Sequence, residues 1–286
     1  MKKNLLALAL LISVFNLSAQ KLENTLLWEI TGNGLEKPSY LFGTIHVSCD
    51  ATLSDKVKKA LDETTQVVLE IDIDDPSMQM KMMQGMMMKD GKTLKDLVSE
   101  SEYQAIDSLF KKNIGMSIGM LEKVKPSLLQ SMLIPKLLDC PMQSVEMELM
   151  KVAKKDNEEI KGLETIEYQM SIFDKIPYDA QVKELVRAAK DNLAFDKATI
   201  KTMLEIYKSE NISKMLSMMD EDDTSIMNEY SDEMLDTRNE NWIPEIGKYA
   251  KEKPTLFGVG AAHLAGDKGV IKLLRKAGYN VKPIME

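Results

Sequence analysis

Two short stretches of the sequence decide the fold: LFGTIH at residues 41–46 and LFGVGAAH at residues 256–263. Each begins as an apolar run typical of a buried strand and ends in Gly-x-x-His, a turn of small residues followed by a histidine. A helical pattern follows each stretch, over residues 54–61 and 267–277, so that strand, turn, histidine and helix occur twice. The repetition predicts two equivalent units near the two ends of the chain.

Around these units, short apolar runs bounded by Gly, Pro or Asp alternate with longer helical patterns, which indicates an α/β fold. The predicted strands are residues 26–30, 39–45, 66–71, 159–163, 255–259 and 279–283. Most of the remaining chain between about residues 75 and 250 shows helical spacing, as in 128–138, 145–152 and 182–189. We therefore expect a central sheet from the N- and C-terminal parts with a large helical insertion.

The composition is that of a folded globular protein, since 44% of the 286 residues are hydrophobic and 29% are charged. Lys and Arg total 37 against 45 Asp and Glu, which gives a net charge of -8. A molecule of this charge repels polyanions, so nucleic acid is not an expected partner.

The first residues have the pattern of a secretory signal peptide, because Lys2 and Lys3 precede an apolar run at 5–12 that extends toward Ala19. The run is shorter than the roughly 20 apolar residues that cross a membrane, and no later segment offers a second candidate. We expect a signal peptide at 1–19, a domain at 20–286, and a secreted or periplasmic protein without a transmembrane segment after cleavage.

Histidines are scarce: His46 and His263 are the only two, and each ends a Gly-x-x-His turn. Turns at the carboxyl ends of strands form the ligand crevice of open α/β sheets, so we expect the two imidazoles to converge there. Glu70, which follows an apolar run, is the best placed carboxylate to join them. The alternatives are two isolated histidines and a solvated Glu70.

The chain has two cysteines, Cys49 and Cys140. An oxidising compartment would permit a disulfide between them, although their separation in sequence does not show whether they approach. A second interpretation pairs Cys49 with His46 as metal ligands, a weaker pattern than two paired motifs.

Four segments together resemble the TraB/GumN family, which is related to the Tiki proteases and more distantly to ChaN and erythromycin-esterase-like proteins. They are SYLFGTIHV at 39–47, IKGLET at 160–165, RN at 238–239 with Trp242, and GAAHL at 260–264. The resemblance spans nearly all of the chain after the signal peptide and implies two Gly-x-x-His turns facing one pocket. Two positions depart from the family pattern: Cys49 in the loop after the first histidine, and Glu146 where Asp is more frequent.

The resemblance implies a metal-dependent, peptidase-like hydrolase acting on a peptide or small molecule. His46, His263 and Glu70 are the expected ligands of a divalent ion, Mn, Co, Fe or Zn, which would lower the pKa of a bound water. Glu70, Arg238 and Glu164 are the expected catalytic residues, with Glu70 as ligand or general base and Arg238 at an oxyanion or substrate carboxylate.

Other interpretations stay open from the sequence. Arg238 has acidic neighbours and would also suit a surface ion pair, and Glu164 would also suit the N-terminal cap of the following helix. A metal-free, esterase-like hydrolase would use a histidine as general base. A binding protein that sequesters a peptide or signal would need no turnover at all.

Methionine is abundant, with 22 residues, seven of them between 78 and 88. Thioethers are soft ligands that select copper(I), but this spacing spreads the sulfurs around a helix instead of converging them. Methionine also fills adaptable binding surfaces. We expect an apolar helix that covers the mouth of the active site or contacts a partner.

Overall fold

The computed structural model describes residues 22–220 and 226–286. Within them the sheet consists of β1 (Leu27–Gly32), β2 (Ser39–Thr44), β3 (Gln66–Ile71), β4 (Glu159–Glu164), β5 (Leu256–Gly260) and β6 (Tyr279–Pro283). The strand order is β4-β3-β5-β2-β1-β6. The first four strands in this order are parallel, and β1 pairs antiparallel with both β2 and β6. The predicted α/β class is confirmed, and all six strands lie within two residues of their predicted ends.

Helices follow the two histidine turns as predicted: α1 (Asp55–Asp62) after the first and α12 (Val270–Lys276) after the second. The helices between β3 and β4 are α2 (Met78–Gly85), α3 (Glu100–Ile114), α4 (Pro126–Ser131) and α5 (Val145–Lys155). Those between β4 and β5 are α6 (Ile166–Lys175), α7 (Tyr178–Lys190), α8 (Ala194–Lys208), α9 (Ile212–Asp220), α10 (Ile226–Glu229) and α11 (Thr237–Glu252).

The helical pattern over 128–138 forms two elements, because α4 ends at Ser131 and a separate 3₁₀ turn follows at Ile134–Lys136. Pro135 lies inside that turn. Proline has no N–H to donate and disfavours helical geometry in the residue before it, which favours an end of the helix ahead of this position.

Two apolar cores support the fold. The main core covers the sheet and includes the fully buried Leu41, Val67 and Phe257 together with Trp242 of α11. Because β2 and β3 are covered on both faces, their sequences are continuous apolar runs instead of alternating ones. The second core lies within the helical insertion, where α3, α4 and α7 pack together around residues such as Phe110.

Cys49 and Cys140 form a disulfide, with 5.7 Å between their Cα atoms. The bond agrees with the expected export to an oxidising compartment and removes Cys49 from the candidate metal ligands. Among the described residues, no helix combines the length and the hydropathy needed to cross a membrane. The predicted signal peptide at 1–19 lies outside the described residues.

The methionine-rich segment forms α2, which has no buried residue and packs on α6. Met80 and Met83 are exposed, and Met87 beyond the helix is exposed as well. Met88 is buried and Met86 packs against the second core. A partner that contacts the exposed methionines stays a prediction.

Candidate functional site

The four predicted His and Glu residues lie at the carboxyl ends of four neighbouring parallel strands or just after them. In sheet order, β4 ends at Glu164, β3 carries Glu70, and His263 and His46 follow β5 and β2. Because the carboxyl ends of parallel strands meet at one edge of a sheet, all four side chains lie at that edge. Convergence of the two histidine turns, predicted from their repetition, is therefore observed.

Gly43 allows the two histidine turns to touch. A Cβ at this position would lie 3.3 Å from the Ala261 Cα and 2.8 Å from the Leu264 side chain. Both neighbours belong to the second turn. Because the glycine of the first Gly-x-x-His motif has no side chain, the backbones of the two units can approach each other closely.

Arg238 is the centre of a buried charge cluster. Its Nη2 donates to Glu70 Oε2 at 2.5 Å and to Glu164 Oε1 at 2.8 Å, and its Nε donates to Glu164 Oε1 at 3.0 Å. The Trp242 indole N–H donates to the other Glu164 oxygen at 2.9 Å. Arg238 is buried, which excludes the surface ion pair considered for it. Glu164 does not cap α6, because the Thr165 side chain accepts the capping hydrogen bond of that helix.

A π-helical turn at Asp232–Asp236 precedes the helix that carries Arg238. In this wider turn the Thr237 N–H donates to the Asp232 carbonyl, five residues back. The Arg238 side chain donates from Nη1 to the Met234 carbonyl at 2.9 Å. Such turns are rare within helices and frequent at functional sites. This one leads directly into α11, of which Arg238 is the second residue.

Glu70 has hydrogen-bond partners on both carboxylate oxygens. Oε1 accepts the Gly260 N–H at 2.8 Å, and Oε2 accepts from Gln169 of α6 at 3.2 Å as well as from Arg238. Burial would raise the pKa of Glu70, but Arg238, the two histidines and the Gly260 N–H together outweigh it, and the pKa falls to about 2. Glu70 is therefore an ionised, buried carboxylate and not a solvated strand residue.

His263 is buried and neutral. Its Nδ1 lies 2.6 Å from Asn239 Oδ1, whose amide nitrogen donates to the Lys268 carbonyl, so Nδ1 carries the proton. Its Nε2 accepts from Arg238 Nη1 at 3.2 Å. Burial and the charge of Arg238 lower the pKa of His263 to about 3.

His46 is the accessible imidazole of the pair. Its side chain is 68% exposed, whereas that of Glu146, at 2.8 Å from His46 Nδ1, is 10% exposed. Ser144 donates its hydroxyl to the second Glu146 oxygen at 2.5 Å. Crowding by the surrounding protein disfavours the charged imidazole, but the adjacent carboxylate outweighs this effect and raises the pKa of His46 to about 9.

Three residues of the site had no assigned role in the sequence analysis: Glu146, Gln169 and Asn239. Gln169 and Asn239 lie in or beside segments that resemble the family, so their position in those motifs was a usable signal. Glu146 was noted only as a departure from the family pattern. Its pairing with His46 joins residues 100 positions apart and has no local sequence signal.

The predicted metal ligands are brought together only in part. His263 Nε2 and Glu70 Oε1 lie 3.8 Å apart, but Arg238 donates to that nitrogen and to the same carboxylate, and His46 lies against Glu146. A divalent ion at the His263 lone pair would be next to a guanidinium. In 22–220 and 226–286, no group of three or more His, Cys, Asp or Glu is arranged to hold a metal. This arrangement does not fit a metal ion, and the ligand set stays a prediction.

Comparison with protein families matches residues 26–283 to the TraB/PrgY/gumN family. No curated protein and no solved structure matches the chain. The family match covers both histidine turns, the strands that carry Glu70 and Glu164, and the helix that carries Arg238.

Proposed function

The chain belongs to the TraB/PrgY/gumN family, and from this premise we propose that it is a hydrolase of peptide or ester bonds in which His46 activates water. One observation supports the proposal most: an exposed imidazole whose Nδ1 lies against a buried carboxylate at the crevice. With Nδ1 2.8 Å from Glu146 Oε1, Nε2 is the nitrogen left to meet water or substrate. An imidazole in this position acts as a general base.

The charge of the buried cluster favours an uncharged scissile group. Glu70 and Glu164 contribute two negative charges, Arg238 one positive charge and neutral His263 none, so the buried cluster carries a net charge of -1. A substrate carboxylate would be repelled by this sum. Amide and ester carbonyls carry no net charge and avoid that cost.

Glu70, Arg238 and Glu164 keep their predicted catalytic roles as proposals, but their contacts support positioning. The Arg238 guanidinium donates hydrogen bonds to both glutamates, to the Met234 carbonyl and to His263. It thereby joins the ends of β3 and β4 to the turn that follows β5. Positioning a general base within a few tenths of an ångström is itself a contribution to rate.

Metal-dependent hydrolysis is a second proposal, favoured by the 3.8 Å separation of His263 Nε2 and Glu70 Oε1. It requires Arg238 to move away from His263.

The test is hydrolysis of a panel of neutral peptides and esters by the wild type and by His46→Ala. We expect the variant to lose at least about 100-fold in kcat/KM, the contribution of a general base. Lys197→Ala, which removes an exposed cation on α8, is the matched control and should keep the wild-type rate. Equal turnover by the wild type and His46→Ala would contradict the proposal, and no turnover of any substrate would favour a binding protein.

A further inference from the structure

The loop that carries His46 is tied covalently to the segment that leads to Glu146. The disulfide joins Cys49, three residues after the histidine, to Cys140, six residues before the glutamate. A bond at this place holds together the two chain segments whose ends form the charged pair.

Hydrogen bonds continue this tie toward the site. Ser48 and Gln143 each donate an N–H to the other's carbonyl, at 2.9 and 2.8 Å, and the Gln143 amide donates to the Cys49 carbonyl at 3.0 Å. Nearer to the pair, the Val145 N–H donates to the Ile45 carbonyl at 3.3 Å. The residues immediately before the histidine and the glutamate are thus in contact.

Burial contributes little to this tie on the side of Cys140. Residues 139–143 link the 3₁₀ turn Ile134–Lys136 to α5, and none of them is buried. On the other side, His46, Cys49 and Asp50 are exposed, whereas Val47 and Ser48 between them are buried. Segments with few buried apolar contacts open at low free-energy cost, so the covalent bond has a large share in fixing residues 139–143 against the buried loop of His46.

We propose that the Cys49–Cys140 disulfide is a positioning clamp for the His46–Glu146 pair, and that its reduction separates the two side chains and slows hydrolysis. The reductant is a dithiol: one thiolate attacks the bridge, the second resolves the mixed disulfide, and two electrons and two protons pass to the cysteines. Cys49 is exposed, so a dithiol can reach the bridge from that side. The effect on rate rests on the proposed function, whereas the clamp itself does not.

The experiment uses the two imidazoles as reporters, because two histidines give two separate sets of NMR signals. At a fixed neutral pH, we expect reduction with a dithiol to move the His46 signals toward those of Glu146→Gln, which lacks the carboxylate charge. The His263 signals should stay in place, because Asn239 and Arg238 hold that ring within the buried cluster. Hydrolysis should fall on the order of 10-fold or more with the loss of alignment.

A double variant, Cys49→Ser with Cys140→Ser, is the matched control, since it lacks the bridge before any reductant is added. Its His46 signals should match those of the reduced wild type, and reductant should change neither its signals nor its rate.

Two results would overturn the clamp. In the first, His46 keeps its oxidised signals in reduced, folded protein. In the second, the signals of both histidines move, which would make the bridge a support of the whole fold. If His46 alone moves but no substrate is hydrolysed in either redox state, the clamp stands and the proposed hydrolase fails.

Discussion

At the residue scale, the two histidines have opposite surroundings although their motifs are equivalent. His263 is buried beside a guanidinium and stays neutral, whereas His46 is exposed beside a carboxylate and takes a proton. The sequence predicted the convergence of the two turns because the motif is local. It did not predict this division of roles, because the deciding partners, Arg238 and Glu146, come from distant helices.

Glu146→Gln should change the pH dependence of hydrolysis. In the wild type the adjacent carboxylate outweighs the crowding around His46 and raises its pKa to about 9, so the base form is scarce at neutral pH. We expect wild-type kcat/KM to rise about tenfold per pH unit below pH 9 and to level above it. The variant should level near the ordinary imidazole pKa of about 6.5, with a lower plateau. Profiles from pH 5 to 10 with equal midpoints would contradict the pairing.

Arg238→Met should lower the free energy of unfolding by about 3–5 kcal/mol, because it leaves Glu70 and Glu164 buried without a countercharge. Urea denaturation followed by circular dichroism measures the loss. Lys248→Met removes an exposed cation on the same helix and should change stability by less than about 0.5 kcal/mol. Similar losses in the two variants would show that the cluster is not a buried charge network.

At the scale of elements, the strands were predictable because buried parallel strands are short apolar runs bounded by turn residues. The helical insertion was less so: the spacing at 128–138 does not show that α4 ends at Ser131, and the π-helical turn before Arg238 has no recognised sequence pattern. Apolar spacing reports which face of an element is buried. It does not report where the backbone departs from regular geometry.

Gly43→Ala should destabilise the fold by about 1–3 kcal/mol, because the added methyl would press on the second histidine turn. Gly119→Ala is the matched control, since its nearest neighbours would lie 3.5 Å away and its φ is not positive. We expect the control to keep the wild-type melting temperature within about 2 °C. An equal shift in both variants would mean that the two turns can separate without cost.

At the scale of the whole molecule, the sheet edge combines an ionised buried cluster with an accessible imidazole. The family resemblance indicated the set of residues, because its motifs span most of the chain. It did not indicate that a guanidinium would take the central place among the expected metal ligands, since that depends on how α11 packs against three strands.

The buried cluster also predicts an acid limit of stability. The pKa of Glu70 is about 2 in the folded chain and about 4.5 when unfolded, so its contribution is complete above pH 4.5 and is lost as pH falls toward 2. That contribution is about 3 kcal/mol at neutral pH and loses about 2 kcal/mol by pH 3. The stability difference between the wild type and Glu70→Gln in urea should therefore shrink from pH 6 to pH 3. A difference that is constant with pH would contradict an ionised Glu70.

The most direct test of the central claim is turnover by protein stripped of metal with a chelator, with residual metal measured by elemental analysis. If the imidazole of His46 activates water, stripped wild type keeps its kcat/KM while His46→Ala stays inactive. Loss of activity on stripping, restored by Mn, Co, Fe or Zn, would contradict this account and assign the activation of water to an ion.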